Sequence, residues 1–292
     1  MRIVMSELTV PQRQNWLQHA IAPRPVCFAS TVDKKGQVNL SPFSFFNLFS
    51  IQPPIVIFSA SRRVRDNTTK HSLQNVEEVP EVVVNIVDMD IVQQTSLASC
   101  EFPKGIDEFT KAGLTAVPSE LIRPPRVAES KIQMECKVIN ILPLGNEGGA
   151  GNLVICEVLL MHVANEILNT EGTMINHIAL HHIARMGADW YCSVNENNLF
   201  RVPKPNIHIG IGFDQLPVSI RQSKILTGNQ LAILANVSEL PLIDAAYDDP
   251  HVKQIIQYFS ANPEEMEFEL HRHAAHLLDM GKVDDAWQVL LV

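Results

Sequence analysis

Asn39-Leu-Ser-Pro-Phe-Ser-Phe-Phe-Asn47 is the stretch on which the reading of this chain turns. Three phenylalanines, Phe43, Phe45 and Phe46, stand among the short polar residues Asn39, Ser41, Ser44 and Asn47, with one proline, Pro42. A half-buried strand alternates polar and apolar side chains with a period of two. This stretch does not alternate cleanly. Two readings follow from its residues. It is an aromatic core strand carrying a bulge, or it presents backbone N–H and hydroxyl groups beside flat apolar surface. A planar heteroaromatic ligand needs both kinds of group.

Further along lies Ser59-Ala-Ser-Arg-Arg-Val-Arg-Asp-Asn-Thr-Thr-Lys-His-Ser72, the densest local run of cations and hydroxyls. It follows a strand-like run and leads into a helix-like one. Such a corner suits phosphate capture, because Arg, Lys and hydroxyl donors meet the amides of a helix start. A solvated basic turn is the plainer alternative.

Around these two stretches the chain reads as strands. The runs 26–32, 55–59, 82–87 and 131–142 are β-branched or alternating, 153–163 is a longer apolar run, and Pro or Gly breaks separate them. This pattern predicts an antiparallel sheet or barrel. The glycine-rich 145–151 joins the last two runs as a hairpin loop. No GK[ST] follows it, so it does not read as a nucleotide phosphate loop. Short helices are expected over 66–76, 90–99 and 106–112, the last ended by Gly113. After Pro203-Lys-Pro205 the chain reads mainly as helix. Asn262-Pro263 supplies an N-cap and a first-turn proline. Met266, Leu270, Ala274 and Leu277 then share one face, and a second helix starts near Val283. The expected division is 1–203 for a β domain and 204–292 for a helical C-terminal extension.

Bulk composition limits the function classes. The 292 residues are 46% hydrophobic and 19% charged, enough to bury a sizeable core. A formal net charge of -9 argues against nucleic acid and against anionic membranes. The start of the chain lacks a basic, then apolar leader pattern, and no apolar run reaches the ~20 residues a membrane helix needs. Five scattered cysteines without a CxxC suit free thiols in a reducing compartment. The expectation is therefore a soluble cytoplasmic protein. His177, His181 and His182 lack a third ligand type nearby, and His271, His273 and His276 do not converge, so no metal site is expected. Neither a nucleophile-elbow motif nor a Gly-x-Gly-x-x-Gly following a strand is present.

Taken in order, Arg24-Pro25, Ser30-Thr31-Val32-Asp33, Asn39 to Asn47, Pro53-Pro54, Phe58-Ser59, Asn85-Ile-Val-Asp88 and Pro124-Pro-Arg-Val-Ala-Glu-Ser130 resemble the flavin reductase-like family. These are the FMN-binding split-barrel proteins that include the flavoredoxins. The resemblance spans roughly residues 20 to 200 and stops short of the helical extension.

It implies a mainly β fold with added helices: a six-stranded antiparallel Greek-key split barrel, usually a homodimer, with non-covalent FMN near the subunit interface. It also implies that Asn39, Ser41, Pro42, Phe43, Ser44, Phe45 and Asn47 line the isoalloxazine ring. Ser30, Thr31, Ser59, Arg62, Lys70 and Ser72 are its candidates for the ribityl chain and phosphate. The family often carries Lys-Asp-Thr where this chain has Lys70-His71-Ser72. Ala184-Arg-Met-Gly187 followed by Tyr191 is similar to the family's closing segment, which brings Arg185 and Tyr191 towards the flavin. The implied activity is transfer of hydride from NAD(P)H to flavin N5, with no side chain required as acid or base. A non-enzymatic FMN electron carrier or redox-sensing module, and a split barrel holding another ligand such as haem, are the other readings.

Overall fold

The strand-like runs pair into one curled sheet. The computed structural model describes residues 1–202 and 209–292. Its strands are β1 (Arg24–Pro25), β2 (Cys27–Val32), β3 (Val38–Phe43), β4 (Phe46–Ser50), β5 (Ile55–Ser59), β6 (Glu81–Ile86), β7 (Ala116–Val117), β8 (Arg126–Val127), β9 (Ile132–Pro143), β10 (Asn152–Val163), β11 (Ile183–Arg185) and β12 (Tyr191–Ser193). The main sheet runs β3-β2-β6-β9-β10-β5-β4, and every pair in it is antiparallel.

The two edges of this sheet, β3 and β4, are consecutive in the chain, with only Ser44 and Phe45 between them. Laid flat at the usual spacing, seven strands would hold their edges about 29 Å apart. Three Cα steps reach at most about 11 Å. The sheet therefore curls until its edges meet, and β3 and β4 act as one strand bent at Ser44-Phe45. Counted that way the barrel has six strands, the architecture expected from the sequence.

Alternation along the strands fills the barrel. Cys27 and Ala29 of β2, Val82 and Val84 of β6, Cys136 of β9, Cys156 of β10 and Phe58 of β5 point into one apolar cluster with Phe43. β2 is buried along its whole length. Its other face, with Phe28, packs in a second cluster with Leu40, Ile91, Ala98, Phe109 and Ala112. Cys27, Cys136 and Cys156 are free thiols of the barrel core, whereas Cys100 and Cys192 are exposed. Burial pushes the Cys136 thiol up to about 12, so it acts as a small apolar group rather than a nucleophile.

The helices of this unit are α1 (Val10–Ala20), α2 (His71–Glu78), α3 (Val92–Ala98), α4 (Glu108–Ala112) and α5 (His177–Leu180). α2 starts later than the expected 66–76, because the side chain and amide of Thr68 bond Asp66 in a tight turn. The expected 90–99 helix opens as a short 3-10 turn, Met89–Ile91, before α3. Gly113 ends α4 at φ 65, as its sequence position suggests. α1 was not legible in the sequence. It buries no residue, so it has no apolar stripe to betray it.

Contacts divide the chain into two compact units, Met1–Leu199 and Phe200–Val292. The boundary expected at 203/204 lies outside the described residues. The second unit holds α6 (Val218–Arg221), α7 (Gly228–Leu234), α8 (Pro250–Phe259), α9 (Pro263–Asp279) and α10 (Val283–Leu290). Their core gathers Ile220, Leu234, Leu270, Ala274, Leu277 and Trp287. Asn262 caps α9 by accepting from the Glu265 amide at 3.4 Å. Among the described residues no helix is long and apolar enough to cross a membrane.

Candidate cofactor site

The bent strand carries a polar cradle beyond one end and an aromatic corner at the other. The cradle forms where Asn39, Ser41 and Pro42 of β3 face Lys70 and His71 at the start of α2, with Arg63, Cys100 and Glu101 around them. No side chain caps α2 among the described residues; the Leu73 amide bonds the Lys70 carbonyl at 3.1 Å, which leaves the His71 and Ser72 amides open to a ligand. Lys70 makes no side-chain hydrogen bond or ion pair among the described residues. Its ammonium sits 5.1 Å from the centroid of the Phe43 ring. Burial, followed by the Arg63 guanidinium, holds the Lys70 ammonium below its ordinary pKa, while Glu101 opposes the shift. The same burial, with Arg63 and Lys104, lowers His71. Glu101 is engaged by Arg63 and Arg65, at 3.2 and 2.9 Å, so the Lys70 ammonium forms no ion pair among the described residues.

At the bend, the Phe45 carbonyl accepts from the Ser59 amide at 2.8 Å. The N–H and C=O of Ser44 and the N–H of Phe45 have no partner among the described residues. Phe43 is buried and packs on Phe58 with ring centroids 4.8 Å apart. Phe45 is 44% exposed, which leaves a flat ring facing outward beside the free backbone groups.

Other residues named from the sequence lie beneath this surface. Ser30 and Thr31 are fully buried. Thr31 Oγ1 accepts from Asn75 Nδ2 at 3.1 Å, so its hydroxyl ties β2 to α2. Ser30 Oγ is buried without a partner among the described residues. Ser72 is also fully buried, and its Oγ accepts from Asn39 Nδ2 at 2.9 Å. Asn39 also donates to Ser41 Oγ at 3.3 Å, so these three residues order the cradle wall from behind. The Ser59 side chain lies against the glycine loop, where a Cβ on Gly151 would stand 2.6 Å from its Oγ. Arg62 turns into its own loop, bonding the side chain and carbonyl of Asn67 at 2.6 and 2.7 Å. Asn47 is exposed and caps its neighbour Leu48 at 2.8 Å.

A third group closes the aromatic corner. Arg185 stacks over Tyr191 at 4.8 Å and donates to its hydroxyl at 2.6 Å. β1 pairs with β11, so Arg24 lies directly opposite Arg185. Arg24 in turn lies 6.0 Å from the Phe45 ring centroid. The structure thus brings Asn39, Ser41, Pro42, Phe43 and Lys70 together, and sets Phe45, Arg185 and Tyr191 at the far side of Ser44. It leaves the Ser30, Thr31, Ser59, Arg62 and Asn47 side chains outside these surfaces.

Sequence reasoning passed over Arg63, Glu108 and Arg24 as site residues. Arg63 lies in the basic run, but nothing in one sequence separates it from Arg62. Its contacts separate them: Arg63 bonds Glu101 at 3.2 Å and the Thr69 carbonyl at 2.8 Å, beside the cradle. Glu108 is 5% exposed and accepts from the Leu40 amide at 3.0 Å, so it satisfies the free edge of β3. Burial raises its pKa, and the Leu40 amide works against that shift.

Comparison with known proteins adds the following. A family model described as a flavin reductase like domain matches residues 19–183. The structure of nitrilotriacetate monooxygenase component B from Bacillus cereus is 31% identical, with a TM-score of 0.64, covering 69% of this chain and 98% of that one. The 2-nitrobenzoate 2-nitroreductase NbaA of Pseudomonas fluorescens is 25% identical, with a TM-score of 0.62, covering 73% and 100%. A structure with a split barrel domain from Shewanella frigidimarina is 24% identical at a TM-score of 0.58, covering 68% and 96%, and supports the fold alone.

Proposed function

The chain belongs to the flavin reductase-like family, and from that premise we propose that it binds FMN non-covalently and serves as an NAD(P)H-dependent flavin reductase. The observation that carries this reading is the cradle: an uncapped helix start beside a lysine that lacks an acidic partner. That donor set fits a phosphate dianion. The rest of the surface fits the remainder of such a ligand. Phe43 and Phe45 offer apolar ring surface, and the free backbone groups at Ser44-Phe45 offer donors and an acceptor for a polar ring edge.

In this reading Lys70, Ser41 and the first amides of α2 hold the phosphate. Asn39 keeps the cradle wall in register through Ser72. The bend at Ser44-Phe45 orients the ring system and supplies N–H groups where negative charge develops. The bound flavin supplies two-electron redox chemistry, and the protein supplies binding, orientation and electrostatics. No side chain is needed as acid or base.

The same reading includes assembly. Leu48 and Phe49 of β4, Ile51 after it, and Leu142, Leu159 and Met161 of the neighbouring strands are exposed apolar residues on the barrel. We propose that a second copy covers them, and that the dimer works in the reducing cytoplasm that its free thiols suit.

The deciding experiment is spectroscopic. The purified protein is expected to be yellow or to bind added FMN stoichiometrically, to release FMN on boiling, and to oxidise NADH or NADPH in its presence. A colourless chain that refuses FMN overturns the proposal. FMN binding without nicotinamide oxidation reduces it to an electron carrier. Sedimentation of the unmodified chain at micromolar concentration tests the dimer.

A further inference from the structure

A cluster of positive charge remains that the phosphate cradle does not explain. Antiparallel pairing of β1 with β11 sets Arg24 opposite Arg185. Like charges directly opposite across a sheet are destabilising. Among the described residues neither guanidinium donates a hydrogen bond to a carboxylate. Arg24 donates to carbonyls, those of Gln18, Ile21 and Met186. The first two belong to the end of α1, whose partial negative charge compensates only part of a full positive one. The residue is 7% exposed, and its Nε is buried without an acceptor. The nearest carboxylate to Arg185 is that of Asp189 at 3.8 Å, fully solvent-exposed and worth little.

The donor count of Arg185 is informative. Its Nε and Nη2 donate to the Ala188 carbonyl at 3.2 and 2.7 Å, and its Nη1 donates to the Tyr191 hydroxyl. A guanidinium carries five N–H groups, so one remains on each terminal nitrogen. A carboxylate or phosphate takes such a pair in bidentate fashion. Two flat apolar surfaces flank the place: the Tyr191 ring under Arg185, and the exposed Phe45 ring beside Arg24. Ser41 in the cradle wall and Phe45 at the corner are four residue steps apart, at most about 13 Å at the rise of a strand. Lys70 and the α2 amides stand on the cradle side of the bend, and Arg24 and Arg185 stand on the Phe45 side.

We infer that the corner of Arg24, Arg185, Tyr191 and Phe45 seats the anionic group of a planar aromatic co-substrate, with Arg185 making the contact and Arg24 backing it with charge. This inference rests on the flavin reading above, because it assigns the corner to the molecule that exchanges electrons with the bound flavin. Two sources share this chemistry. One is the phosphate-bearing nicotinamide donor, and the other is an aromatic carboxylate acceptor.

The test uses the FMN-loaded full-length chain and the variants Arg185→Gln and Arg185→Lys. Binding of NADH, NADPH and benzoate is titrated through the flavin absorbance. The neutral analogues dihydronicotinamide riboside and benzamide serve as controls, and FMN affinity is measured separately. Arg185→Gln is expected to weaken one of the anionic arms about tenfold or more, the weight of a charge-assisted hydrogen-bonded pair. It is expected to leave the neutral analogue and FMN within about twofold, with Arg185→Lys restoring part of the loss. Loss in the NADH and NADPH arm assigns the corner to the donor, and loss in the benzoate arm assigns it to the acceptor. Unchanged anion binding overturns the inference, as does an equal loss of FMN affinity, which would make Arg185 a flavin ligand. If Arg185→Gln fails to fold, Tyr191→Phe, which frees Nη1, is expected to change the same anionic arm and no other. If the unmodified chain binds no FMN, the flavin reading fails on that result. Calorimetric titration of the same anions into the chain then decides the corner by itself.

Discussion

The barrel unit and the helical unit bury different things. Among the described residues, the helical unit buries only Gln230 and His271 as polar residues, besides the indole N–H of Trp287, around which an apolar core packs. Among the described residues the barrel unit hides Arg24, Ser30, Thr31, Asn39, Ser72, Asn75, Glu108 and others, and Arg24, Asn39, Ser72 and Glu108 among them border the candidate site. Buried polar groups are expensive unless they are bonded, so a fold that keeps many of them uses them to hold something in place. In the barrel they fix the cradle wall, the edge of β3 and the Arg24 corner. In the helical unit packing alone accounts for nearly every buried residue. The contrast agrees with a family match confined to residues 19–183 and gives the helical unit the character of a packed module.

The largest test of that contrast is Trp287→Ala. Removing a fully buried indole is expected to destabilise the helical unit by about 3–5 kcal/mol. Denaturant unfolding followed by circular dichroism should show that loss, while FMN affinity stays unchanged. A parallel loss of FMN binding would break the division of roles. Next in size is Lys70→Ala, which is expected to weaken FMN by about tenfold or more, as loss of a charge-assisted contact does. Riboflavin, which lacks the phosphate, should hardly respond in the same fluorescence titration. Equal losses for both ligands would remove Lys70 from the phosphate.

A smaller effect separates supporting polar groups from contacting ones. Thr31→Val strands the Asn75 amide and is expected to cost about 1–3 kcal/mol of barrel stability. The affinity for FMN should not change by more than about twofold. A large change there would bring Thr31 back into the site.

The smallest effect is in pH. Burial holds His271 below the ordinary histidine value of 6.5, against the weaker pull of Glu267, and its Nδ1 pairs with Ser223 Oγ at 2.7 Å. The unfolded chain therefore takes up the proton first as pH falls. The stability held by the neutral imidazole is present above about 6.5 and is lost progressively below it, towards the lower folded value. Unfolding of the helical unit measured between pH 8 and 5 should show this slope, and His271→Asn should flatten it.

Much of the architecture was legible from local pattern. Alternation in 131–142 and the apolar run 153–163 announced β9 and β10, and the cap and stripe after Asn262 announced α9. α1 was silent because it buries no side chain, and the start of α2 moved because an Asp66–Thr68 turn outcompeted helix. The candidate site was legible as residue types in order, with Lys70 and the phenylalanines in place. It was not legible which member of each polar pair faces outward. Arg62 and Arg63 are adjacent and chemically alike, yet one bonds its own loop and the other borders the cradle.

The sequence by itself determined the strand periodicity, the helical tail, the aromatic run at 39–47 and the basic run at 59–72. Each of these is written in neighbouring residues, and period and residue type suffice to read them. Only the tertiary structure decided that 39–47 is a strand broken at Ser44-Phe45 to close a barrel. It also decided that Thr31 and Ser72 support the site from behind, and that Arg24 and Arg185 stand opposed beside Phe45. These facts depend on residues far apart in the chain. Their physical basis is the register of strand pairing and the satisfaction of buried polar groups, which a local pattern does not encode.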